Sequence, residues 1–284
     1  MWSKEEIETA RQHIFCSQSE TDVALRSSRW GGIPRFVLQQ TDAEHQALLQ
    51  EALDNCSLHE LTSDMTNMSG ASKISHRLLH LTVVEGYWKG PVVFASDWVG
   101  DQLISRYFQF RQHEVRDFLA ASGGDSTVAA FRGKLWERHA HIALQRGGGF
   151  QCRDLQTGEP AFLVDIEPCS SSKGLWDLAD ISAELSIGVY GFGKNQTLPA
   201  VDAIIQPDRL FLITVSGDHQ VSPRGLATAV GAMQAAQEQV KVYFVVPPDV
   251  FQGYTKQTLK QIRGDLQAAN VARSVNQFVL RLDI

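Results

Sequence analysis

Two carboxylates define the chemistry this chain could carry. Glu137 lies in FRGKLWERHAHIALQRGGGFQCRDL (residues 131–155) and Asp202 in VDAIIQPDRLFLITVSGDH (residues 201–219). The first segment reads as an amphipathic helix that turns through Gly147, Gly148 and Gly149 into a strand. The second reads as a hairpin with Asp202 at its start, a plain turn at Gln206-Pro207-Asp208-Arg209, and an outgoing strand over 210–215. Carboxylates converging on a hard cation such as Mg²⁺ polarise a phosphodiester and lower the pKa of an attacking water. Each acid also has a plainer reading, Glu137 as a solvated helix residue and Asp202 as a buried ion-pair partner or cap. Asp202 stands among Val201, Ala203, Ile204 and Ile205, where an unpaired charge is costly.

A helix carboxylate facing a strand-start carboxylate is how a restriction-endonuclease-type site begins. Its usual completion is Glu or Gln, one residue, then Lys on the next strand. This chain has Leu212-Ile213-Thr214 there instead. Thr214 can orient a water but supplies no charge. His219, after Ser216-Gly217-Asp218, could serve as base or simply be a loop histidine. The sequence therefore leaves open whether the chain is a metal-dependent nuclease. Arg132, Lys134, Arg138, Arg146 and Arg153 form a basic stripe around Glu137. Lys134 and Arg138 are one turn apart and share a helix face, which suits phosphate contact or plain solvation. Gly191-Phe192-Gly193-Lys194-Asn195 lacks the spacing of a phosphate loop and reads as a surface loop, with Lys194 available to a nucleic-acid backbone.

The elements that must position these residues fall into two predicted domains. Residues 1–121 read as a small, mostly helical domain and residues 122–284 as an α/β domain around a mixed sheet. In the first, Ser3 with Glu6 suggests a capping box. Gly31-Gly32 with Pro34 marks a turn into a new helix, a helix follows over 41–55, and the polar run 62–73 reads as a loop. In the second, a helix over 127–145 leads to strands at 150–153, 161–166, 198–205 and 210–215. A helix over 226–239, a strand over 242–246, a helix over 258–266 and a strand over 275–282 complete it. The 284 residues carry a formal net charge of -6, so a nucleic-acid contact needs a local basic surface. Cys16, Cys56, Cys152 and Cys169 lack metal-ligand spacing and read as plain thiols. No apolar run has the length of a membrane span, and the opening WSKEEIETARQHIF reads as an internal helix start.

The order of several short motifs resembles the C-terminal part of the Crinkler effectors, which are related to retrotransposon-hot-spot proteins. The motifs are Gly31-Gly-Ile-Pro-Arg-Phe-Val-Leu, Phe94-Ala-Ser-Asp, Phe131-Arg-Gly-Lys-Leu-Trp-Glu, Gly149-Phe, Val201-Asp-Ala, Thr214-Val-Ser and Phe244-Val-Val-Pro. The resemblance implies the terminal helical part of a P-loop NTPase followed by a restriction-endonuclease-like domain of the PD-(D/E)xK type. It assigns nucleotide sensing to Arg35, although no Walker motif precedes it here. It places the nuclease acids at Glu137 and Asp202. Where the family tends to have Gln-x-Thr and His-Pro, this chain has Leu212-x-Thr214 and His219-Gln220. The implied function is an effector-type DNA-binding domain, with a weak or degenerate Mg²⁺-dependent endonuclease site formed by Glu137, Asp202, Thr214 and His219. Lys134, Arg138 and Lys194 would contact DNA. The alternative is a catalytically inactive nuclease-fold module that binds a host or partner protein. Secretion followed by action in the host cell nucleus is implied by the resemblance alone.

Overall fold

The computed structural model describes residues 2–66, 77–84, 88–124, 128–193, 198, 200–257 and 274–284. It divides into two compact units, Met1–Phe131 and Arg132–Ile284. The architecture is mixed α/β, with helices first and then a large sheet.

In the first unit, α1 (Lys4–His13) starts at the capping box expected from Ser3 and Glu6. Ser3 N–H donates to Glu6 Oε2 at 2.7 Å and Glu6 N–H to Ser3 Oγ at 3.2 Å, satisfying two otherwise orphaned donors. Ser19 and Asp42 cap α2 (Glu20–Trp30) and α3 (Ala43–Asn55) through a single bond each, accepting from Asp22 N–H and His45 N–H. The double glycine has a steric reason. A Cβ at Gly31 would stand 2.0 Å from the Ala95 carbonyl oxygen, and one at Gly32 would stand 2.1 Å from that of Trp2. The following turn is a short π-helix, Arg35–Gln39. Its Phe36 stacks on the buried Trp30 at 4.0 Å, while Trp30 Nε1 donates to Gln46 Oε1 at 2.7 Å.

Part of the expected loop at 62–73 is helical. α4 (Leu58–Thr66) extends through Thr62, and the rest of that stretch lies outside the described residues. Leu58, Leu61 and Met65 recur at helical spacing and are buried, so packing overrides the polar composition between them. The hairpin β1 (Leu79–Val84) and β2 (Trp88–Phe94) is followed by α5 (Asp97–Phe110) and α6 (Gln112–Ala121).

The second unit is built on an eight-stranded mixed sheet. In chain order its elements are α7 (Ala129–Arg146), β3 (Gly148–Asp154), β4 (Phe162–Ile166), β5 (Ser171–Leu175), α8 (Asp180–Glu184), β6 (Val189–Gly193), β7 (Ala203–Ile205), β8 (Arg209–Ile213), α9 (Pro223–Gly231), β9 (Lys241–Val246), α10 (Pro248–Phe251) and β10 (Asn276–Arg281). The spatial order is β4-β3-β10-β9-β8-β7-β6-β5. Pairs β5–β6, β8–β9 and β9–β10 are parallel and the others antiparallel.

Alternation along the strands separates two faces. Leu210, Leu212, Val242, Phe244, Val246 and Val279 join residues of α8 and α9 in one buried cluster. On the other face Phe211 stacks on Tyr243 at 5.5 Å and Tyr243 on Phe278 at 5.3 Å. α7 packs against that second face, where Trp136 Nε1 donates to the Val245 carbonyl at 3.2 Å.

Several expectations change at the element scale. The segment read as a loop at Gly191-Phe192-Gly193 is the end of a strand, β6, next to the edge strand β5. A Cβ at Gly191 would come within 2.8 Å of Leu185, so glycine is there for packing against α8. The strand expected over 198–205 is only Ala203–Ile205, and the helix expected over 226–239 stops at Gly231. The hairpin turn is not of the plain type, because the Gln206–Pro207 peptide bond is cis. The helix expected over 258–266 lies outside the described residues.

Candidate functional site

The site is built where α7 crosses the ends of β6, β7 and β8. Glu137 and His141 are one helical turn apart on α7, with His141 Nε2 3.9 Å from Glu137 Oε1. The other ring nitrogen, Nδ1, is hydrogen-bonded to the Tyr190 hydroxyl at 2.7 Å. Tyr190 is buried on β6, and burial holds its hydroxyl well above the usual tyrosine range, so it is a neutral O–H. If the Tyr190 hydroxyl donates to Nδ1, the neutral imidazole carries its proton on Nε2, pointing toward Glu137. Phe192, two residues along β6, meets the His141 ring edge-on at 6.2 Å.

Asp202 completes the cluster through an irregularity in the strand. Val201 and Ile204 belong to the same buried cluster although they are three residues apart, which strict alternation forbids. Asp202 N–H donates to the Phe211 carbonyl at 2.9 Å, although it is Ala203 that pairs with Phe211. An extra residue is thus accommodated as in a β-bulge, and it re-aims the Asp202 side chain toward α7. Its Oδ2 accepts from Ile213 N–H at 2.6 Å, supplying the acceptor that β7 does not offer there.

The carboxyl is enclosed by protein yet keeps some surface open to solvent. Desolvation raises its pKa to about 6; the Ile213 N–H opposes that rise, the Glu137 charge adds to it and the His141 charge counters it. Glu137, His141 and Asp202 therefore sense one another's charge. His141 and Tyr190 are members the sequence reading missed. His141 could have been found from its spacing of four residues from Glu137; Tyr190 was hidden because its strand read as a loop.

The remaining expected residues are placed differently. Leu212 is only 1% exposed and points into the cluster on the sheet face away from α7. The positions of β8 that face α7 are Phe211 and Ile213, both buried and apolar. Thr214 N–H donates to the Val245 carbonyl, which also accepts from Trp136 Nε1, and Thr214 Oγ1 accepts from Ser216 N–H at 3.1 Å. His219 packs edge-on to Phe244 at 6.2 Å, on the opposite sheet face from His141, and its N–H is held by Gln257 Oε1 at 2.8 Å. Burial lowers its pKa.

The basic stripe is narrower than expected. Arg132 is buried and paired with Asp249 at 2.8 Å, and Arg153 donates to the carbonyls of Phe251 and Tyr254. Lys134 is half-buried, and Arg138 and Arg146 are exposed. Lys194 lies outside the described residues. Arg35 is exposed at the start of the π-helix. The four cysteines are free thiols.

Among the described residues, no group of three or more His, Cys, Asp or Glu side chains is arranged to hold a metal ion. Glu137, His141 and Asp202 are not such a group, although carboxylate oxygens are the donors that a hard cation takes. No helix of the described residues is long and apolar enough to cross a membrane.

No family model matches the chain, and no solved structure matches it. Two curated proteins do. Crinkler effector protein 15 of Phytophthora infestans is 27% identical over 274 residues, which cover 93% of this chain and 43% of the relative. Crinkler effector protein 16 of the same organism is 26% identical with the same coverage, 93% and 43%. The chain thus spans less than half the length of these relatives. An alignment running through most of both units, at this identity, relates the chain to the Phytophthora Crinkler effector proteins.

Proposed function

We propose that the second unit is a restriction-endonuclease-like effector domain that binds DNA along α7, with Glu137 and Asp202 forming a weak or degenerate Mg²⁺ site. The observation that carries this reading is a desolvated strand-start carboxylate, Asp202, held by the Ile213 N–H at 2.6 Å and raised further by the charge of the helix carboxylate Glu137. In this reading the cation polarises the phosphodiester and lowers the pKa of a bound water. In it Glu137 and Asp202 supply the carboxylate oxygens, and the Thr214 hydroxyl orients the water. His219 drops out of the proposed site because it lies on the other sheet face. Lys134 and Arg138 hold phosphates beside the site, and Lys194 is retained as a third contact. The relatives are named effector proteins, and the resemblance of the motifs extends this reading to secretion and action in the host nucleus.

One observation favours a second reading, a catalytically inactive module that binds a host or partner protein. The β8 positions facing α7 are Phe211 and Ile213, where a nuclease would place an acid and a lysine. Incubating the protein with supercoiled plasmid and Mg²⁺ or Mn²⁺, beside an Asp202→Ala copy, separates the two. The nuclease reading expects nicking that the variant loses. Cleavage undiminished in the variant removes Asp202 from the chemistry, and no cleavage at any metal concentration leaves the inactive module.

A further inference from the structure

The two edges of the large sheet are treated differently by the sequence. One edge, β5, carries Ser171, Ser172 and Lys173, and has Lys173 ion-paired to Glu184 at 3.1 Å. Such polar, charged edges discourage a further strand. The other edge, β4, reads FLVDI and pairs only with β3 among the described residues. Phe162 is 42% exposed and Leu163 76% exposed, so apolar side chains flank a row of backbone groups with one side unpaired. The surrounding chain is uniformly acidic. From Asp154 to Ser172 it contains Asp154, Glu159, Asp165 and Glu167 and no Lys or Arg. Glu159, Asp165 and Glu167 are exposed, whereas Asp154 is occupied in accepting from Gln156 and Thr157 N–H.

From this we infer that β4 is a docking edge for an extended basic segment of another protein, which adds to the sheet as a further strand. The register of β4 defines the occupant. Phe162, Val164 and Ile166 lie on one face, and Leu163 and Asp165 on the other. A matching strand alternates, with apolar residues beside Phe162 and Val164 and Lys or Arg on the face of Asp165. Backbone hydrogen bonds supply affinity, and the alternation with the acidic rim selects the sequence. The inference stands apart from the nuclease reading, since β4 is at the far side of the sheet order from β6 and β7.

The test uses the whole chain and a fluorescein-labelled peptide of alternating Val and Lys, followed by anisotropy at low and high salt. Leu163→Lys/Asp165→Lys changes two exposed side chains and reverses the charge at the edge. A second peptide, N-methylated at alternate residues, keeps the side chains and removes strand pairing. The expected result is saturable binding that weakens with salt, with at least a tenfold loss both in the double variant and for the methylated peptide. The inference is overturned by an absence of binding at low salt or by equal binding of the methylated peptide. It is equally overturned if the variant, shown folded by circular dichroism, binds unchanged. A concentration-dependent dimer of the parent, abolished in the variant, would make a second copy the occupant and overturn it too.

Discussion

Asp202 decides more than any other residue in the site. Its folded-state pKa is raised from 3.8 to about 6, so protonation favours the folded state. Its contribution to stability is therefore most favourable below pH 3.8 and is lost as the pH rises toward about 6. Above that, the fold must hold a desolvated carboxylate next to Glu137. The shift corresponds to an upper bound on the order of 3 kcal/mol, and the side chain's residual exposure reduces this to about 1–2 kcal/mol. Asp202→Asn keeps an acceptor for Ile213 N–H and removes the charge. It should raise the melting temperature well above pH 6, with the difference closing toward pH 3.8. Thermal melts of both proteins across that range check the sign. A variant less stable than the parent at high pH would show that the charge is compensated by partners other than those seen.

At the element scale, the junction of α7 and β3 orients the helix that carries Glu137 and His141. Gly147 ends α7 with φ +74, and its N–H donates to the Ala143 carbonyl at 3.0 Å. A Cβ there would meet the Ile166 carbonyl oxygen at 2.4 Å and Pro168 N at 2.7 Å, both backbone atoms that cannot swing away. The neighbouring Gly149 has nothing within 4 Å of such a Cβ and no left-handed φ. Gly147→Ala should therefore destabilise by ~2 kcal/mol or more, while Gly149→Ala should cost a small fraction of that. Chemical denaturation of the two variants measures the contrast. Equal effects would mean that the Gly147 turn can rearrange. The glycines are thus a structural corner, and their presence does not by itself argue for phosphate binding.

For the whole molecule, the net charge of -6 means that the proposed DNA contact has to be made by a local surface and not by the overall field. That surface is smaller than the sequence suggested, because Arg132 and Arg153 are spent on internal contacts. Lys134 and Arg138 remain on the outer side of α7. Replacing both with alanine should weaken DNA binding similarly for unrelated sequences and flatten its salt dependence, because phosphate contacts release counterions without reading bases. Anisotropy titrations with two unrelated duplexes at two salt concentrations give both readouts. Unchanged salt dependence would move the contact elsewhere on the molecule, and loss for one duplex alone would point to base recognition.

Local rules that act over a few residues were legible in the sequence. The Ser3–Glu6 capping box, the span of α3, and the strands at β3, β4, β8, β9 and β10 follow from capping chemistry and from apolar periodicity. The candidate acids Glu137 and Asp202 were also legible, one from its helix and the other from the cost of a charge among apolar residues. Tertiary structure alone decided the rest. Gly191 looks like a loop residue until Leu185 is seen to need its missing side chain. The facing of Leu212 away from α7 follows from strand register, which a single residue of slip reverses and which no local pattern states, and the seat of His219 against Phe244 follows from the path of the loop after β8. The bulge that turns Asp202 toward Glu137, and the Tyr190 hydroxyl that orients His141, depend on hydrogen bonds between segments far apart in the chain. Those partners are assembled only when the sheet closes over α7.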